Sequence, residues 1–364
     1  NLYAVVGDKF RSYVTPGSGR PWQYQYHFNN AQTADLTTWY ESDNLLPYLM
    51  RYTSVIATKN RVYVLGGWSN SGVTNTVYTA PINADGTIGA WTTGPSLPGI
   101  LCESSAIVTK NRVYVINGAG GPGPLGFTYT APINADGTLG TWTIGPSIPE
   151  KLAFSNSIVT KDRVYMIGGW NGITEVSSIY TAPINEDGTI GDWYFHGSFP
   201  IGLFGHRLAV IKNRLYVMGG AYTNSVRYAS IDNNGVIGEW STGPSLPTGL
   251  GHGDIIVTKN KVHVFSGSDK IYTSVINSDG SLGTWYISAT LPYDMNGAKA
   301  IITNSKVYLI GTHSNKIIYA NFAGGTNDYS PYYDGSIRPV SSDKFALPDF
   351  SNEELFGSYS YIKY

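Results

Sequence analysis

One phrase returns along this chain almost unchanged, and nothing else in the sequence constrains the fold as strongly. Residues 77–98 read VYTAPINADGTIGAWTTGPSLP, residues 128–149 read TYTAPINADGTLGTWTIGPSIP, and residues 179–200 read IYTAPINEDGTIGDWYFHGSFP. Weaker copies follow at 227–247 and 271–292. The tryptophans that mark it are Trp39, Trp91, Trp142, Trp193, Trp240 and Trp285, spaced 45 to 52 residues apart. A chain with this period builds one supersecondary unit many times and buries its core by stacking the copies.

A second phrase alternates with the first. It reads SSAIVTKNRVYVINGAG at 104–120 and SNSIVTKDRVYMIGGW at 155–170, with copies at 54–68, 208–221, 255–267 and 300–311. Each unit therefore holds four short apolar-alternating runs: A (SSAIVT), B (RVYMIGG), C (IYTAPIN) and D (GTWTIGPSIP). A Lys-Asn or Lys-Asp pair joins A to B, and an Asp-Gly, as at Asp85-Gly86 and Asp136-Gly137, joins C to D. Both links are hairpin signals. Four antiparallel strands per unit make one blade of a β-propeller.

The unit resembles the kelch repeat family. The matching residues are the Gly-Gly pair closing run B (Gly66-Gly67, Gly168-Gly169, Gly219-Gly220), the tyrosine of run C (Tyr78, Tyr129, Tyr180) and the tryptophan of run D. The sequence departs from that pattern at Asn117-Gly118, Ser266-Gly267 and Gly311-Thr312. The resemblance implies an all-β propeller with strand A innermost. It says little about function, because such propellers host enzymes, adhesins and scaffolds. The Asp-Gly-Thr-x-Gly-x-Trp run also looks a little like a sialidase Asp-box. Its Asp-to-Trp spacing is one residue too long, so it is read as turn chemistry.

Run B occurs seven times, counting residues 2–7, and run A six times in the body of the chain. The expectation is a seven-bladed kelch-like propeller, with a six-bladed ring as the alternative. The missing A strand would come from 357–364, which alternates as GSYSYIKY and would close the ring beside residues 2–7. Closure matters because an open ring exposes an unpaired edge. On this reading the chain is one domain, 1–364. Blade one spans 1–47 and is closed by 357–364. The others fall near 52–98, 103–149, 154–200, 206–247, 253–292 and 298–348. The weak stretch is 324–346, which must supply the last D strand without a tryptophan.

Composition bounds the function. Charged residues are 13% of the chain and the net charge is −1, so nucleic acid and anionic membranes are not indicated as partners. No apolar run is long enough to span a bilayer. A single cysteine, Cys102, excludes an internal disulfide. The six histidines lack metal-ligand spacing, and the acidic turns do not alternate as a calcium loop does, so no metal or other cofactor is expected. A kelch-like copper site with a cysteine–tyrosine crosslink finds little support in one cysteine and scattered histidines. The Gly-Gly pairs end strands and no helix follows, so they cradle no phosphate. The absence of Asn-x-Ser/Thr sequons and of an initial Met points to a bacterial or phage source and to a piece of a longer protein with further domains.

The A–B and C–D turns barely change between units, whereas the B–C and D–A loops differ and share the opposite face. That variable face is where a ligand site is expected. Its B–C loops carry Trp68 and Asn70, Trp170 and Asn171, Tyr222 and Asn224, and the His313-Ser314-Asn315 turn. Aromatic rings beside amides suit sugars, since a ring stacks on the sugar face and amides bind hydroxyls. If strand A is innermost, its first residues rim the channel: Ser54, Ser105, Asn156, Arg207, Asp254 and Lys299. Together with His206 and His252, the last three form a polar cluster in a charge-poor chain. It suits an anion or polar-ligand pocket, an acid–base pair, or an ion-pair plug.

The expected function is a binding module. It would be a receptor-binding or carbohydrate-binding part of a phage tail fibre, or of another virion or extracellular adhesin, facing a cell-surface glycan or receptor. A fibre role would also bring copies together as a homo-oligomer. The alternatives are an enzyme acting on polysaccharides or sialic-acid-like sugars and a protein-interaction scaffold.

Overall fold

The computed structural model describes residues 36–321 apart from 161, 259, 304 and 312–314, together with the backbone of 2–6 and 9–13. Among the described residues there is no helix. Six antiparallel sheets of four strands stand in a ring. Blade 1 runs Ser54–Ala57, Arg61–Ser69, Gly72–Pro81 and Thr92–Thr93 from the axis outward. Blade 2 runs Ser105–Val108, Arg112–Ile116, Thr128–Pro132 and Thr143–Ile144. Blade 3 runs Asn156–Val159, Arg163–Trp170, Glu175–Pro183 and Tyr194–Ser198. Blade 4 runs Arg207–Ile211, Arg214–Met218, Val226–Ser230 and Ser241–Thr242. Blade 5 runs Asp254–Val257, Lys261–Phe265, Lys270–Val275 and Tyr286–Thr290.

Blade 6 corrects the count. Its strands A to C are Lys299–Ile302, Lys306–Ile310 and Ile317–Asn321, and its outer strand is Trp39–Glu41 from the other end of the chain. Ala320 pairs with Trp39 and Ile318 with Glu41. The ring therefore has six blades, not seven. Leu2–Val6, whose alternation copies run B, pairs only with Lys9–Tyr13 in a separate two-stranded sheet. The proposed closing strand, 357–364, and the stretch 324–346 lie outside the described residues.

One device joins neighbouring blades. In five of the six blades the tyrosine of strand B donates to a glycine carbonyl in the C–D turn of the next blade. Tyr63 reaches Gly137, Tyr165 reaches Gly235, Tyr114 reaches Gly188 at 3.3 Å and Tyr216 reaches Gly280 at 2.8 Å. Tyr308 of blade 6 donates to Gly86 of blade 1 at 3.3 Å, and Thr303 Oγ1 donates to the same carbonyl at 2.6 Å, so the ring closes by the same bond. In blade 5 the tyrosine is replaced by His263. His263 instead bonds Thr273 Oγ1 within its own blade, at 2.9 Å.

The C–D turns are self-contained. Asp85 Oδ1 accepts from the Thr87 amide at 2.9 Å and its hydroxyl at 2.6 Å. Asp136 with Thr138, Asp187 with Thr189 and Asp279 with Ser281 repeat the arrangement. These bonds favour the ionised carboxyl and hold all four aspartates below the usual range. The near-invariant phrase is thus an Asx turn that also docks the preceding blade.

The Gly-Gly pair has a backbone cause. The first glycine sits at φ 58° in Gly66, 56° in Gly168 and 68° in Gly219, and the second at 111°, 125° and 96°. The first value is the left-handed region that Asn tolerates, and Asn117 occupies it at φ 56°. The second is open only to glycine, and Gly118 and Gly267 keep it at 116° and 92°.

Candidate functional site

The six A strands start at Ser54, Ser105, Asn156, Arg207, Asp254 and Lys299, and they neighbour one another around the axis. Two residues before each start, the chain turns into the channel mouth on the face of the B–C and D–A loops. That position holds Tyr52, Glu103, Phe154, Gly205, His252 and Gly297 in blades 1 to 6. Five of the six adopt left-handed backbone: Tyr52 at φ 56°, Glu103 at 53°, Phe154 at 56°, Gly205 at 67° and Gly297 at 71°. Backbone bonds step from blade to blade here. The Glu103 amide donates to Tyr52 at 3.0 Å, Phe154 to Glu103 at 3.1 Å, and Gly205 to Phe154 at 2.9 Å.

The aromatic members converge across the axis. The His252 ring lies 5.8 Å from Tyr52, 6.2 Å from Phe154 and 5.5 Å from Tyr222. Phe204 packs edge-on against Phe154 at 5.7 Å. Tyr222, also left-handed at φ 60°, is 64% exposed. Tyr52, Phe154 and His252 of blades 1, 3 and 5 thus make an aromatic collar, joined by Tyr222 from the B–C loop of blade 4.

Charged groups share the mouth. Arg207 Nε stands 3.5 Å from Asp254 Oδ1. Asp254 also accepts from the Ile255 amide at 2.9 Å and the Ala300 amide at 2.8 Å, which holds its carboxyl between blades 5 and 6. Arg207 spends Nη1 on the carbonyls of His206 and Gly205. The Lys299 ammonium makes no hydrogen bond or ion pair among the described residues, although its backbone pairs with Ile310. Burial and the nearby Arg207 lower its ammonium to about 8, against the pull of Asp254 and Glu103. Glu103 feels the converse. Burial raises its carboxyl to about 7, offset by Lys299 and Arg207, and its Oε1 is buried without a partner. Three of the predicted residues, Arg207, Asp254 and Lys299, are therefore brought together, and Glu103 joins them.

Two more, His252 and Tyr222, stand in the collar, and the remaining predicted residues fall elsewhere. His206 is fully buried, with its Cβ against Gly220 and both ring nitrogens unpartnered. Burial and then Arg207 hold it neutral, with its pKa down at about 3. Trp68 is 48% exposed, with its backbone paired to Arg51, and Asn70 beside it is exposed. Trp170 is half-buried and paired to Ala153. Asn171 caps its own loop, accepting from the Ile173 and Thr174 amides at 3.0 Å. Asn224 is exposed, and its carbonyl accepts from Leu246 at 2.8 Å. His313 and Ser314 lie outside the described residues. The mouth residues Tyr52, Glu103 and Phe154 do not stand out in the sequence, although aligning the units two positions before the strand starts puts them in one column with His252.

Two comparisons bear on identity. The chain is 31% identical over 209 residues to a kelch repeat protein of Myxoma virus, covering 52% of this chain and 36% of that protein. It is 40% identical over 73 residues to a kelch domain-containing protein of Saccharolobus solfataricus, covering 20% of this chain and 9% of that protein. The same repeat builds the six four-stranded blades described above. The chain is a kelch-like β-propeller. It spans little more than a third of the first relative and less than a tenth of the second. No family model matches it.

The mouth of this kelch-like propeller titrates. Glu103 takes up its proton at higher pH in the folded protein than in the unfolded chain, so its contribution to stability is complete at acid pH and is lost as pH rises through about 7. The buried His206 and His263 act oppositely, losing stability below their unfolded values. The parent-minus-variant stability difference for Glu103→Gln isolates the first effect. It is expected to fall steadily between pH 4.5 and 7 in denaturant titrations. A flat difference would mean that Glu103 ionises as freely as in water.

Proposed function

We propose that this propeller is a receptor-binding module that grips carbohydrate on its B–C and D–A loop face, as a surface part of a virion or an extracellular adhesin. The fold and the two kelch relatives support a binding or protein-interaction module, and the finer reading rests on the mouth. One observation carries it. The ring position takes glycine in two blades, so the scaffold does not need a side chain there. Yet Tyr52, Glu103 and Phe154 occupy it in left-handed backbone, a strain of about 1–2 kcal/mol each. Side chains held against such a cost in a channel mouth suit a ligand site better than packing. Exposed Tyr222 and Trp68 extend the aromatic surface outward, and Asn70 and Asn224 add amides that suit sugar hydroxyls.

The test is a glycan-array screen on the intact chain with Tyr222→Ala and Trp68→Ala alongside. Retained folding with about tenfold weaker binding in each variant is expected for a lost stacking platform. Binding that neither change weakens would place the ligand away from the loop face.

A further inference from the structure

We infer that a small cleft between the D–A loop leaving blade 3 and the B–C loop of blade 4 takes the acetyl methyl of an N-acetylated sugar. The inference rests on the glycan reading above and names the sugar class. The cleft opens on the loop face and holds about 50 Å³. It lies where the repeat departs from its pattern. The residue after the Gly-Gly pair is Trp68 in blade 1 and Trp170 in blade 3, but Ala221 in blade 4. In blades 1 and 3 strand B runs on through that tryptophan, whereas in blade 4 it stops at Met218. Ala221, left-handed at φ 49°, lines the cleft in place of a large ring.

The lining is apolar and its backbone donors are spent. Phe199, Leu203 and Val217 form a buried wall, and Ile201 lines it from an exposed position. The amides of Gly219, Gly220 and Ala221 donate to the carbonyls of Ser225, Leu250 and Phe204 at 2.7 to 2.8 Å. Thr223 gives both its amide and its hydroxyl to the Gly220 carbonyl. Water between such walls finds few partners, so an apolar group that displaces it gains affinity. The volume is several times what one water needs and far below that of a pocket for a whole ring, so it suits a substituent. One polar group remains. Ser225 is half-buried in the lining, and its hydroxyl makes no hydrogen bond among the described residues. An acetamido group matches both features, its methyl filling the cleft and its carbonyl accepting from Ser225.

The surroundings favour a sugar as the source. Tyr222, 64% exposed, stands between Ala221 and Thr223 of the lining and offers a ring for stacking, and exposed Asn224 offers an amide for hydroxyls. An acetylated peptide would bring an extended main chain, which binds through free backbone groups, and the amides at the cleft are already bonded.

The experiment compares N-acetylglucosamine, N-formylglucosamine, glucose and an acetyl-lysine peptide on the intact chain, by calorimetry and by saturation-transfer NMR. The formyl sugar keeps the amide and lacks only the methyl. The acetyl sugar should bind about fourfold more tightly than the formyl sugar, the worth of one buried methyl, and its methyl should receive the strongest saturation. Ala221→Leu fills the cleft from a position that already carries a Cβ, and it should abolish that preference. Ser225→Ala should weaken both amide sugars by about threefold or more and keep the preference between them. Equal affinity for the two amide sugars, an unsaturated acetyl methyl, or an undiminished preference in folded Ala221→Leu overturns the cleft site. Should Ala221→Leu not fold, the methyl saturation and the acetyl-to-formyl ratio decide alone. Amide sugars unweakened by Ser225→Ala overturn the part given to that hydroxyl. In each of these cases glucose binding sensitive to Tyr222→Ala leaves the glycan reading standing. Absence of all sugar binding overturns both, and binding of the peptide alone identifies an acylated peptide as the partner.

Discussion

A chain that begins at residue 51 should lose its cooperative melt. It lacks Trp39–Glu41, the outer strand of blade 6, and with it Leu36, Leu46 and Met50, each no more than 2% exposed. Leu36 belongs to the cluster between blades 5 and 6, and Leu46 and Met50 to the one between blades 6 and 1. Trp39 stands edge-on to Phe265 of blade 5 at 5.9 Å. Each fully buried apolar side chain contributes about 2–3 kcal/mol, so their joint loss rivals the net stability of a typical domain. The check is near-UV circular dichroism on heating, with a synthetic 36–50 peptide added in trans. Restoration of a cooperative transition by the peptide is expected. A truncated chain that melts within a few degrees of the parent would show that strand D of blade 6 is dispensable.

The second large effect is local. Valine at Gly118 would have to adopt φ 116°, and its Cβ would lie 2.6 Å from the Cys102 carbonyl and 3.0 Å from Ser104 Cβ. Backbone strain and the clash together should cost about 4 kcal/mol in denaturant titrations. Asn117→Gly, one residue away, should stay within about 1 kcal/mol, because φ 56° suits either residue. Equal costs at the two positions would refute the distinction between the two halves of the pair.

These two predictions mark what the sequence makes legible. The departure at Asn117-Gly118 follows a conformational rule that needs no neighbour and can be read from the chain alone, whereas at Ser266-Gly267 only the second residue keeps the left-handed backbone. The Asp-Gly turns are legible for the same reason, since Asp85 satisfies its own turn. Blade count is different. Residues 2–6 alternate like a strand B, but alternation names a strand and not its partner. The partner is decided by tertiary packing. The better signal was Trp39, which falls in register with the five later tryptophans and so belongs to a D strand. Six such tryptophans and six A runs make six blades when the first D strand serves the last blade.

The site divides in the same way. Arg207, Asp254 and Lys299 share one alignment column, and periodicity alone brings them to the axis. Glu103 and the collar rings stand in the column two places earlier. Their importance comes from left-handed backbone that turns them into the mouth, and no local pattern announces that φ for Tyr, Glu or Phe. His206 shows the opposite error. It is adjacent in sequence to Arg207, but successive residues of a strand point to opposite sides, so it is buried behind the channel wall.

Blade 6 also sets an order of events during synthesis. Lys316 and Glu41, which pair at 3.4 Å across its outer seam, are 275 residues apart. At about 10 residues per second a nascent chain would carry the early strand for roughly half a minute before its partner emerges. Until blades 5 and 6 emerge, Leu36 and Trp39 have no partner surface, while Leu46 and Met50 have only blade 1. The first strand of the ring to be made is thus the last to dock, and the slow step in maturation should be this single non-local pairing.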